Sequence, residues 1–312
     1  MDTRTETGIP DPIVVTGLGS IVRGLTAPMP SADADTALDV GPWLKSRKMR
    51  KFMGKQDMLA TIAAGLAIRD ARLEEAWLKE RTGVYMSVGY IPFERSDIEP
   101  IARASTKEGR FSMDLFSTAG FEQANPLLTF RCLPNMPIFH VSLNYGICGP
   151  YFVTYPGVGQ FYVALEQAVT ALRNGEVDAA LVGAAADQAN FLVRHHFARL
   201  PHSVNTVFAD AGAFICLEKR STAESRSATV KAELLDYAVH YEPFDPRESV
   251  VPFQEEINVS GKRKPADAMG YLGPTSLPVS LDCAHSAGEG GELQHSTQTM
   301  DGFRTASRWR LS

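Results

Sequence analysis

Apolar residues along the chain fall into two kinds of run, and each predicts a kind of element. Short unbroken stretches mark buried strands: Ile13–Leu18, Val84–Gly89, Tyr151–Tyr155, Asp178–Ala186 and Phe208–Glu218. Apolar residues at helical spacing predict a helix over Asp57–Arg72, where Met58, Leu59, Ile62, Leu66 and Ile68 form a core face. A second helix is predicted from Gln160 to Arg173, with Phe161, Leu165, Ala168 and Leu172 on one face. Pro156, Gly157 and Gly159 force a tight turn ahead of it, and Gly175 lies just past its end. Strand, sharp turn, helix, strand is the unit that places a nucleophile at a helix N-terminus, where backbone N–H groups and the helix dipole stabilise negative charge.

Between these runs the pattern breaks. Residues 1–11 read as a loose tail and Thr26–Asp39 as a polar loop. Residues 92–123 carry no pattern that assigns elements. Tyr241–Met269 is Pro-rich and charged, which predicts a linker or an exposed excursion. Gly17-Leu18-Gly19 follows a strand but lacks the third glycine and the acidic residue of a dinucleotide site.

Composition narrows the classes. The 312 residues are 44% hydrophobic and 21% charged, ordinary for a soluble globular chain and long enough for two halves around a core. A net charge of −5 argues against a nucleic-acid partner. No apolar run is long enough to span a membrane, and the polar N-terminus lacks the core of a secretory signal. Cys132, Cys148, Cys216 and Cys283 are widely spaced, so neither a zinc site nor a disulfide framework is indicated, and a cytoplasmic location is expected.

The central stretch has a family likeness. Gly149-Pro150, the helix after it, and Gly175-Glu176-Val177-Asp178 resemble the central motif of the β-ketoacyl synthases: GP-strand-(T/D)-x-A-C-S-S, a helix, then G-E-x-D and a strand. Ile13–Gly19 resembles the family's V-V-T-G-x-G opening, Arg47–Phe52 its R-R-M-D-x-x segment, and Val84–Gly89 its second strand. Asn125-Pro126 and Leu133-Pro134-Asn135-Met136 resemble the stretch that lines the acyl pocket. Phe208–Glu218 resembles G-E-G-A-x-x-x-x-L-E, with Ala211 read in place of the glutamate. The likeness covers residues 12 to about 236 well and the remainder poorly.

That resemblance implies an α/β, thiolase-like fold of αβαβα layers. It would have a complete N-terminal half (12–220) and a reduced C-terminal half (221–312) that includes the exposed segment 241–269. It also exposes what is missing. Counted from either end of the motif, Val158 stands in the slot of the acyl-accepting cysteine. Valine carries no thioester. No H-G-T-G-T loop exists for the first histidine; Met269–Pro274 places Tyr271 in the slot of the second and Ala266 in that of the lysine. Nucleophile and both histidines are absent or replaced, so no catalytic residue, cofactor or metal is implied.

Other constellations are weaker. Cys148 with His140 could form a dyad, but Cys148 is not at a helix N-terminus. Cys283 and His285 would share a strand face, with Asp282 on the other. Adjacent His195 and His196 diverge on a helix. The cations of Lys45–Lys55 read either as a solvated helix edge or as a docking patch for an acidic partner such as an acyl carrier protein.

The reading favoured by the resemblance is a non-catalytic subunit of the chain-length-factor type. It would pair with an active ketosynthase, or with itself, and meet acyl carrier protein through that partner. Leu128, Phe130, Met136 and Phe139 are the acyl-pocket candidates, and Phe152, Val153 and Tyr155 the dimer-interface candidates. The alternatives are a thiolase-fold acyltransferase, decarboxylase or hydrolase with unconventional residues, and a degenerate homodimeric scaffold.

Overall fold

The apolar runs become neighbouring strands of one mixed sheet. The computed structural model describes residues 11–23, 38–90, 93–199, 207–242, 254–264, 270–299 and 302–312. Among these the sheet has ten strands: β1 (Ile13–Arg23), β2 (Thr82–Val88), β3 (Tyr151–Thr154), β4 (Ala179–Ala186), β5 (Asp210–Lys219), β6 (Ala232–Tyr241), β7 (Gln254–Val259), β8 (Lys262–Lys264), β9 (Gly291–Gln298) and β10 (Phe303–Leu311). Their order is β8-β7-β9-β10-β6-β1-β5-β4-β2-β3. Helices α1 (Lys55–Ala71), α2 (Met136–Tyr145), α3 (Val158–Asn174), α4 (Phe191–Ala198) and α5 (Ser276–Ser286) complete the parts that position the site.

The strand order repeats about the sheet centre. From β1 outward run β5, β4, β2 and β3; from β6 outward run β10, β9, β7 and β8. Numbered within each half, both read one, five, four, two, three. The halves join where β1 pairs with β6 through Ile13, Val14 and Val15. In the N-terminal half β2 lies parallel to both β3 and β4, whereas every C-terminal pair is antiparallel. The long crossover that a parallel pair requires is replaced, between β7 and β8, by a two-residue turn at Ser260-Gly261.

β4 reads AALVGAAA and is buried along its whole length, because helices lie on both faces. Its Ala180, Val182 and Ala184 pack with α3, while Ala179, Leu181 and Ala185 pack with α1 and α2. Helix α3 also reaches β6, β9 and β10, so it is held between the two halves of the curled sheet. Phe161, Leu165, Leu172 and Trp309 are fully buried there. Each such side chain contributes roughly 1.5–3 kcal/mol by leaving water. Gly17 and Gly19 lie within β1, where a Cβ on either would collide with the backbone of α1 at Ala67. Their glycines serve close helix–strand packing and belong to no phosphate loop.

Two expectations are corrected. Tyr241–Met269 is not an exposed excursion in its described part: residues 254–259 and 262–264 are strands, with Ile257 and Val259 buried. Alternation of apolar and polar positions inside the charged stretch decides this. Cys283 and His285 lie on helix α5, not on a strand, and two-residue spacing puts them on different sides.

Candidate functional site

The turn into α3 is built by its sequence. Tyr155 and Pro156 leave β3, and Gly157 takes φ 108° and ψ 169°, a conformation that only glycine adopts easily. The helix therefore starts at Val158, two residues earlier than the apolar spacing predicts. The Thr154 hydroxyl donates to the Gln160 carbonyl at 2.9 Å and ties the strand end to the first turn. Val158 is 2% exposed. No side chain caps the helix, so the N-terminal amides stand ready for negative charge, with a hydrocarbon in the place a nucleophile would occupy.

Next along the helix, Gly159 meets Phe303 at the start of β10: a Cβ at Gly159 would stand 2.5 Å from Phe303 Cβ. One turn below Val158 is Tyr162, fully buried. Its hydroxyl lies 2.6 Å from His295 Nδ1 and 3.0 Å from Ser307 Oγ; His295 Nε2 lies 2.8 Å from Glu255 Oε1. Trp309 Nε1 donates to Ser307 at 2.9 Å. Burial raises the Tyr162 phenol far above its ordinary range. Tyr162, His295, Glu255, Ser307 and Trp309 thus form one continuous hydrogen-bonded relay. Their side chains are almost wholly removed from solvent, and they fasten α3 to β7, β9 and β10.

A charged group caps the ends of β4 and β5. Lys55 Nζ lies 2.8 Å from Asp187 and 3.2 Å from Asp210. Asn190 donates to Asp187 at 3.2 Å, and the Ala189 amide donates to Asp210 at 2.8 Å. Burial, and then the Asp210 charge, push the Asp187 carboxyl up, with Lys55 opposing. Burial alone would lower Lys55, but the two carboxylates raise it, so the ammonium stays charged and is no nucleophile. Sequence reasoning missed this group. The signal was present: counting back from Glu218, the acidic position of the strand motif falls on Asp210, which corrects the placement at Ala211.

Tyr271, in the histidine slot, is buried among Phe197 and Phe208, and its N–H donates to the Val207 carbonyl at 2.7 Å. Ala266 lies outside the described residues. The thiol of exposed Cys148 donates to the Gly146 carbonyl, while His140 is buried, so the structure does not make them a dyad. His140 instead faces Asp57 at 4.0 Å, and neither ring nitrogen has a partner at hydrogen-bond geometry. Burial lowers its imidazole to about 4, the Phe52 backbone opposing. Burial raises Asp57 as well, against the Gly54 N–H that it accepts at 2.7 Å.

The pocket candidates lie on or beside two helical turns. Met136 is buried, Leu128 is half-buried, and Phe130 and Phe139 are exposed, with Phe130 edge-on to Phe52. Strand β3 lies at the open edge of the sheet; Phe152 and Val153 are half-buried and Tyr155 is exposed just beyond its end. Tyr151, at 70% exposure, and the α2 residues Phe139 and Leu143 add apolar surface. Lys45, Arg47, Lys48, Arg50 and Lys51 are exposed beside Phe52. Among the described residues no helix is long and apolar enough to cross a membrane, and no three side chains are grouped to hold a metal.

Residues 23–214, which run from the last residue of β1 through the first half of β5 and include the whole turn at Val158, match the family described as β-ketoacyl synthase, N-terminal domain. The chain belongs to that family. No curated protein sequence matches it. Three solved structures share the fold of this ketosynthase-like chain. One is a type II polyketide synthase acyl-carrier protein in complex with its ketosynthase bound to the hexaketide (AntDE:AntF), with TM-score 0.68 and 16% identity. Another is a β-ketoacyl synthase from Burkholderia phymatum STM815, with TM-score 0.66 and 15% identity. The third is the ishigamide ketosynthase/chain length factor, with TM-score 0.68 and 16% identity. In each case the match covers 97% of this chain and 100% of the other. Such identities carry the thiolase-like α/β fold alone.

Proposed function

We propose that this chain is a non-catalytic, chain-length-factor-type subunit. It pairs with an active β-ketoacyl-ACP synthase and shapes the acyl pocket during chain elongation of the polyketide, aryl-polyene or fatty-acid type. One observation carries the reading: at the helix N-terminus where an acyl group would be held, Val158 is buried and Phe303 is packed on Gly159. Valine brings no nucleophilic atom to that position. The unpaired β3 edge and the apolar surface around it support pairing with a second subunit. The exposed cations of residues 45–51 support contact with an acidic carrier protein, reached together with the partner.

The test is co-expression with a cysteine-bearing ketosynthase. The expected result is a stable heterodimer that makes products of defined length, while this chain alone takes no acyl group from a loaded carrier protein. Covalent loading of the isolated chain, seen by intact-protein mass spectrometry, would return it to the acyltransferases. A homodimer that ignores every ketosynthase offered would make it a scaffold.

A further inference from the structure

Where α1 ends, a cleft of about 570 Å³ opens between that helix, β1, the entry to β6 and the last turn of α5. It shares no lining residue with the groups around Val158. Arg69, Asp70, Arg72, Lys231, Asp282 and His285 line it. Arg69 and Arg72 also form one wall of a neighbouring cleft of about 410 Å³, whose lining includes Trp43 and Tyr145 and no carboxylate. The two arginines are thus a ridge between two hollows.

The charges around this ridge are unequally satisfied. Both carboxylates are engaged: Asp70 lies 3.1 Å from Lys231 Nζ and accepts the Leu18 N–H at 2.8 Å, and Asp282 accepts the Ser20 hydroxyl. Arg69 stacks on Trp43 at 4.6 Å, and neither Arg69 nor Arg72 has an acidic partner among the described residues. Lys231 is the informative member. Its side chain is 9% exposed, and its ammonium stands 3.5 Å from His285 Nε2, an imidazole nitrogen rather than a second carboxylate. A solvated charged edge does not bury an ammonium in this way. On a chain of net charge −5, the ridge gathers cations that its own carboxylates leave unmatched.

We propose that this cleft binds a small phosphate-bearing ligand. The phosphate sits between the Arg69–Arg72 ridge and Lys231. Guanidinium groups match phosphate with paired N–H donors, and a lysine adds a point charge.

Calorimetric titration of the full chain with inorganic pyrophosphate at low ionic strength tests this. Saturable one-to-one binding is expected. Arg72→Asn is the first variant, because Arg72 has φ 53° and asparagine tolerates that conformation. Lys231→Met, which keeps most of the buried stem, is the second. Each should weaken binding about tenfold or more, whereas Arg110→Gln on the distant exposed 106–111 hairpin should leave it unchanged. If Lys231→Met fails to fold, as judged by circular dichroism, Arg72→Asn decides alone. Absence of saturable binding, affinity retained in Arg72→Asn, or equal loss in Arg110→Gln overturns the site.

Discussion

Phe303 rests on Gly159 so closely that the helix backbone and the phenyl ring leave no space for one methyl group. That contact joins the first turn of the N-terminal half's central helix to the last strand of the C-terminal half. Gly159→Ala should destabilise the chain by about 1–3 kcal/mol through overpacking. Phe303→Ala should lose packing by itself yet restore part of the loss when combined with Gly159→Ala. Urea unfolding of both singles and the double gives the coupling. A strictly additive cycle would mean that the two residues do not press on each other.

Placing a thiol in the slot should not revive chemistry. Val158→Cys is expected to take up no stable acyl group from a thioester donor and to condense nothing. The sequence reading puts Tyr271, which packs among aromatic rings, where the second histidine would stand, so the imidazole that would stabilise a developing oxyanion is not expected there. Self-acylation with condensation, followed by mass spectrometry, is the outcome that sinks this view.

Val153→Asp should abolish association with the partner subunit. A strand joined across the β3 edge would enclose the new carboxylate without a counter-charge, at a cost of several kcal/mol. Light scattering coupled to size exclusion reads the result. A folded Val153→Asp chain that still associates would refute the β3 interface.

The buried imidazole of His140 makes stability depend on pH. Its folded-state value, about 4, lies below the ordinary 6.5, so the unfolded chain binds the extra proton between those values. Stability from this group is present above about 6.5 and is lost as pH falls towards 4. His140→Leu removes both the titration and a polar ring without partners. It should flatten the slope of unfolding free energy across that window and stabilise the chain at pH 5 by roughly 1–3 kcal/mol. An unchanged slope would assign the pH dependence elsewhere.

Under the proposed function, pocket volume would be the lever on product length. In the reconstituted pair, Leu128→Ala should lengthen the products and Leu128→Trp should shorten them, with early condensation rates little altered. Each additional buried methylene is worth ~0.8 kcal/mol, so a deeper tunnel favours longer chains by volume alone. Product sizing by mass spectrometry checks it; identical distributions from an intact complex favour scaffolding.

The sequence made the turn at Gly157 and the helix after it legible because each depends on residues within a few positions. The same holds for the apolar strands on either side. The relay from Tyr162 through His295 to Glu255 was not legible. β9 and β10 alternate, but many of their inward residues are polar, as at His295, Thr297, Thr305 and Ser307, and hydrophobic periodicity is blind to that. Nor could spacing reveal that Lys55 meets Asp187 and Asp210, since the three are brought together only by the sheet. The misread excursion at 241–269 has a third cause. Prolines and charges around it masked the short Ile257-Asn258-Val259 alternation at the end of β7.

The sheet ends differently at its two margins. One carries Tyr-Phe-Val-Thr in β3; the other carries Lys-Arg-Lys in β8. Two copies of the first edge can lie side by side without bringing like charges together, whereas two copies of the second cannot. Pairing through β3, as proposed above, would leave the Lys-Arg-Lys strand at the far margin of this subunit's sheet, away from the partner.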